Sequence, residues 1–131
     1  MDDVYQYIAQ LDFTGLKSIV TAPSLPSERA IESIHADFSE LHYKRWLFLR
    51  RKYEGEQLPP TRDIDILWHA HILDTLFYHE VCDYVFGYYF HHYPYFGTRG
   101  DADAQNLQES FRHMLRTYKK EFGVALPEFI L

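Results

Sequence analysis

One cysteine, Cys82, stands in the whole chain of 131 residues. With no second thiol there is no internal disulfide, and nothing asks for an oxidising compartment. Basic residues are in the minority: 13 Lys and Arg face 19 Asp and Glu, for a formal charge of −6. Nucleic-acid binding by phosphate neutralisation needs clustered cations, so that class is set aside. The short runs Lys44-Arg45 and Arg50-Arg51-Lys52 read as the solvated face of a helix. No apolar run approaches the ~20 residues of a membrane span. The acidic start Met1-Asp2-Asp3 also lacks the basic and apolar parts of a signal peptide. The expectation is a cytoplasmic protein with neither a nucleic-acid nor a membrane partner. Glycine is scarce, at six residues, and there is no internal repeat.

What the chain does hold is a core and a surplus of rings. Apolar residues make up 47% and aromatics 18%, with 11 Tyr and 10 Phe. That is enough for one domain spanning residues 1–131. Asp2 or Asp3 opens a short helix to about Leu11, and Leu16 to Val20 is a short helix or strand. Thr21 to Ser27, with Pro23 and Pro26, reads as a linker, and Ser27 has the chemistry to cap a long helix reaching about Tyr53. In that helix Ile31, Ile34, Phe38, Leu41 and Phe48 recur at helical steps and form the expected buried stripe. After Gly55 and Pro59-Pro60, Thr61 or Asp63 caps a second long helix to about Phe86, stopped by Gly87. Tyr88 to Asp101 is a loop. Asp101 or Asp103 then opens a third long helix, whose stripe Leu107, Phe111, Met114, Leu115, Tyr118, Phe122 ends at Gly123. The fold class is all-α: a compact bundle of three long helices with short N-terminal helices and an aromatic, His-rich loop.

Chemistry concentrates between Asp63 and Gly100. Read as helix, His71, Thr75, Tyr78 and Cys82 share one face, while Asp65 with His69 and His79 with Asp83 are i, i+4 pairs. His69 and His71 lie roughly 200° apart on an ideal helix, so either the helix is distorted or the two serve different roles. The loop adds His91 and His92, with Arg99, Asp101 and Asp103 beyond. Imidazoles with a carboxylate suit Zn²⁺ or Fe²⁺ with a position left open. The candidate metal set is Asp65, His69, His71 and His92, with Asp65 alternatively orienting His69 by accepting its other N–H. Tyr78 is the candidate acid or hydrogen-bond donor. His35, His42, His79, His113 and Cys82 are weaker candidates, better read as structural.

The string Trp68-His69-x-His71-x-Leu73-x-Thr75-x-x-Tyr78, followed by Cys82, Gly87 and His91-His92-x-Pro94, resembles the glycine-rich domain-containing-protein-like family. The resemblance runs from about Pro59 to Gly100, more weakly into the flanking helices, and the glycine-rich region is absent. It implies no reaction, since the family's activity is unassigned; it points to His69, His71, Thr75, Tyr78, Cys82 and His92. The leading expectation is a metal-binding protein, extending to a small metalloenzyme with a His/Asp site in a Tyr-rich pocket and a small-molecule partner. The alternative is a non-catalytic module that binds another protein, its histidines serving a buried hydrogen-bond network. A third reading has Arg99 and the amides near Gly97 and Gly100 binding phosphate or carboxylate.

Overall fold

A computed structural model describes residues 1–23 and 29–129. Its six helices are α1 (Asp2–Ala9), α2 (Thr14–Thr21), α3 (Ser33–Lys52), α4 (Arg62–Leu73), α5 (Thr75–Val85) and α6 (Asp101–Phe122). No strand occurs among the described residues, so the all-α class holds. The uncertain element at Leu16–Val20 is helix α2, started by Asp12, whose Oδ1 accepts from the Thr14 amide at 2.9 Å and the Thr14 hydroxyl at 2.6 Å. Ser27, the expected cap of α3, lies outside the described residues. The helix itself begins at Ser33, with Glu32 in the capping position.

Two helices are long, not three: α3 has 20 residues and α6 has 22. The expected middle helix is cut at Asp74, whose backbone leaves helical space (φ −84°, ψ 78°). Asp74 closes α4 with its amide, 3.1 Å from the His71 carbonyl, and opens α5 with its carboxylate, which accepts from the Phe77 amide at 3.4 Å. A residue that competes locally for backbone amides can end one helix and start the next. At the other ends the sequence signals hold. Thr61 Oγ1 accepts from the Ile64 amide at 3.2 Å. Gly87 (φ 78°) and Gly123 (φ 76°) take the left-handed conformation that ends α5 and α6.

Helix α3 runs through the middle, packed against α1, α2, α4 and α6. Its buried row is Ala36, Ser39, Tyr43 and Trp46, joined by His42, Leu47, Phe48 and Leu49. The expected stripe is largely the neighbouring row: Ile34 is 64% and Leu41 46% exposed, and Ile31 precedes the helix. A helix wrapped on several sides has no single apolar face, and here its inner row is small, aromatic and polar rather than aliphatic. Trp46 is the centre of the core, its ring 4.7 Å from Trp68 and its Nε1–H donated to the Leu58 carbonyl at 2.8 Å.

The segment 88–100 is held at both ends. Gly97 (φ 90°) lies so close to α6 that an added Cβ would collide with the Leu107 side chain, and its amide donates to Asp103 Oδ2 at 2.8 Å. Gly97→Ala is therefore expected to lower stability by about 2 kcal/mol, read from denaturant melts. An unchanged midpoint would show that the loop is free to move away from α6.

Candidate metal centre

The placement of the His-rich loop is decided by Tyr78 and Cys82. The Tyr78 hydroxyl accepts from Trp68 Nε1 at 3.0 Å and donates to the Phe90 carbonyl. Cys82 Sγ accepts from the Phe90 amide at 3.5 Å. Both polar groups of one loop residue are thus fixed by α5. From there burial alternates: Phe90 is buried, His91 exposed, His92 half-buried, the two-residue rhythm of an extended chain. Phe90 and His92 both lie against Trp68, the latter stacked at 4.3 Å and 22°.

That register brings His92 to the solvent face of α4, where Asp65 and His69 stand one turn apart. His69 Nε2 and His92 Nε2 are 3.0 Å apart, and His92 Nε2 is 3.2 Å from Asp65 Oδ1. His69 Nε2 is 3.1 Å from Asp65 Oδ2. Each Nε2 carries at most one proton yet faces two partners. If both rings donate to the carboxylate, two N–H groups confront each other. A cation at the focus would satisfy all three groups with lone pairs. Donors about 2.0–2.2 Å from one ion, at angles of roughly 90–109°, sit roughly 2.8–3.6 Å from each other, and the observed separations fall in that range. The three residues form the group among the described residues that could hold a metal ion. Their side chains remain 31%, 56% and 25% exposed for Asp65, His69 and His92, so one side is open to water or another molecule.

His71 does not join them. Helix α4 is regular here, so His71 points into the core, fully buried, its Nδ1 sharing a 2.8 Å hydrogen bond with the Tyr43 hydroxyl. Its Nε2 has no hydrogen-bond partner among the described residues, and the ring packs on Phe13 and Phe77. Burial pushes its pKa down to about 4. Tyr78, the candidate acid, is likewise inside: burial raises its pKa, and its hydroxyl is spent between Trp68 and Phe90. It holds the loop instead of facing the three donors. Cys82 is buried beside it, Thr75 is exposed at the start of α5, and His91 stays in solvent.

The other histidines lie elsewhere. His35 pairs with Asp63 at 2.8 Å and stacks on Phe129; His79 and Asp83 are an exposed pair at 3.3 Å; His113 meets Glu56 at 2.6 Å. Arg99 and the amides of Gly97 and Arg99 all converge on Asp103, so these groups of the expected phosphate or carboxylate site already share an anionic partner.

His42 is buried between α3 and α6, its Nδ1 2.6 Å from the Tyr118 hydroxyl, which also accepts from Arg45 at 3.0 Å. With Arg45 filling its acceptor side, the hydroxyl gives its proton to a neutral imidazole. Burial first, then the Arg45 charge, pushes the His42 pKa down to about 4. An unfolded histidine titrates near 6.5, so between these values the unfolded chain binds the extra proton. This contribution to stability is complete above about pH 6.5 and is lost as pH falls towards about 4, on the order of 3 kcal/mol. His71, depressed to the same value, adds a slope over the same window, so His42→Asn should reduce the slope in urea melts by about half; an unaltered slope would exclude His42 as a source.

Residues 26–80 match the model of the glycine-rich domain-containing protein-like family. Of the resemblance read from the sequence over about Pro59 to Gly100, residues 59–80 fall within this match, and its Cys82, Gly87 and His91-His92 part lies beyond it. The match takes in all of α3 and α4 and stops within α5, so Asp65, His69 and His71 fall inside it and His92 outside. Neither the curated proteins nor the solved structures gave a match. No helix among the described residues is long and apolar enough to cross a membrane.

Proposed function

We propose that the protein binds one Zn²⁺ or Fe²⁺ through Asp65, His69 and His92, and that this ion is the centre of its activity. One observation carries the reading: two imidazole nitrogens from two separate segments lie 3.0 Å apart on an open face, each 3.1–3.2 Å from one oxygen of the Asp65 carboxylate, His69 from Oδ2 and His92 from Oδ1. Two histidines and one carboxylate with free positions are the donor set of non-haem Fe²⁺ sites and of catalytic Zn²⁺ sites alike. Such an ion would supply Lewis acidity to a bound water or substrate. The side chains fix the donors: Trp68 holds the His92 ring by stacking, and α4 sets Asp65 against His69 one turn away.

The test is metal analysis of tag-free protein from metal-replete cells. About one Zn or Fe per chain is expected, and less than about a tenth would count decisively against the reading. A second reading, a protein-binding module with a buried histidine network, draws support from His42 with Tyr118 and His71 with Tyr43. Those residues are separate from the three donors, so the network gives rigidity whether or not an ion is bound.

A further inference from the structure

Beside the three donors, sharing His92 with them and lined also by Trp68, opens a cleft of about 370 Å³. It is walled by Tyr93, Phe96 and two prolines, with Arg50 and Arg99 on its surface, and among the described residues no carboxylate lines it. In a chain of net charge −6, that is a local reversal of sign. Arg99 is neutralised by Asp103, 3.1 Å away. Arg50 is not. It is partly buried on α3, its Nη1 donates to the Leu58 carbonyl at 3.1 Å, and its guanidinium lies over the Trp46 and Phe90 rings at 5.7 and 5.1 Å. Among the described residues no carboxylate forms an ion pair with it. Burial pulls its pKa down, so the charge is held at some expense. A guanidinium has five N–H donors in a planar fork suited to a two-oxygen anion, and among the described residues only one of its nitrogens has a hydrogen-bond partner.

We infer that this cleft binds a small aromatic carboxylate, its anion on Arg50 and its ring among Trp68, Tyr93 and Phe96. Volume and lining fit: small-molecule sites begin near ~300 Å³ and combine apolar walls with a few placed polar groups. The carboxylate pairs with a partly buried cation, and stacked rings add the cation–π and aromatic contacts already lining the wall. This goes beyond the metal reading and stands without it, because the anion's partner is Arg50 and not the ion.

The experiment titrates chelator-treated and metal-loaded protein with phenylacetate, neutral phenylacetamide and inorganic phosphate, following tryptophan fluorescence, since Trp68 lines the cleft. Saturable binding of phenylacetate by both forms is expected, with the amide at least about tenfold weaker. Arg50→Gln should weaken phenylacetate by at least about tenfold. Tyr93→Ala, on the exposed rim, should weaken it several-fold without moving the melting temperature, which an Arg50 that merely props Leu58 would not produce. No saturable binding to folded protein, equal binding of the amide, or an Arg50→Gln protein that binds as well as wild type would each overturn the inference. Phosphate binding as tightly as phenylacetate would overturn the aromatic part. If only the metal-loaded form binds, the anion is on the ion and the Arg50 site is wrong. Metal-free protein that still binds phenylacetate would separate success here from failure of the metal reading.

Discussion

His92→Ala should weaken Zn²⁺ or Fe²⁺ binding at least about a hundredfold, measured by competition with a coloured chelator, while the metal-free protein melts close to wild type. His92 is one donor of three and sits on a half-buried loop, so its ring matters far more to an ion than to the core. Asp65→Asn should act in the same direction, since it keeps the shape and removes the charge. His71→Ala should do the opposite: metal affinity is kept, and the melting temperature falls because a buried ring and its bond to Tyr43 are lost. The pairing is what discriminates. Equal loss of metal in the His71 and His92 variants, or none in either, would refute the assignment of the three donors.

The largest stability effect is expected at Trp46. Removing its side chain opens a cavity against Trp68, Phe90 and Tyr43 and takes one of two donors from the Leu58 carbonyl. Large aromatic-to-alanine changes in cores cost about 3–5 kcal/mol, a large share of the roughly 5–15 kcal/mol that holds a domain. Trp46→Ala should therefore shift the urea midpoint strongly or leave little folded protein. Trp46→Phe, which keeps most of the volume and loses the N–H, should cost about 1–3 kcal/mol. A Trp46→Ala protein within about 1 kcal/mol of wild type would mean that α3 is not the central helix.

How far these features could be read in advance depended on how local their causes are. The Thr61 cap, the glycines that end α5 and α6, and the stripe of α6 follow from neighbours three or four residues apart, and each was legible. Asp74 was not, because inside a helical rhythm it looks like one more polar surface residue. The buried row of α3 departs from the aliphatic stripe because Ala36, Ser39 and Tyr43 face inward, and only the surrounding helices decide which row is inside. At the candidate site, the angle between His69 and His71 already excluded a shared ion on a regular helix. Which of them would be left for His92 depended on the path of the loop, set by Tyr78 and Cys82 gripping Phe90. Arg50 lay unseen within a basic run that reads as solvated, because its partners Leu58 and Phe90 are distant in sequence.

The three donors come from α4 and from a segment more than twenty residues further on, with α5 between. A cation gripping both would close that stretch into a ring, discouraging the loop from peeling away and taking Trp68's cover with it. Thermal resistance of the chain should then climb with the logarithm of free ion concentration, making the abundance of folded protein a reading of how much metal surrounds it.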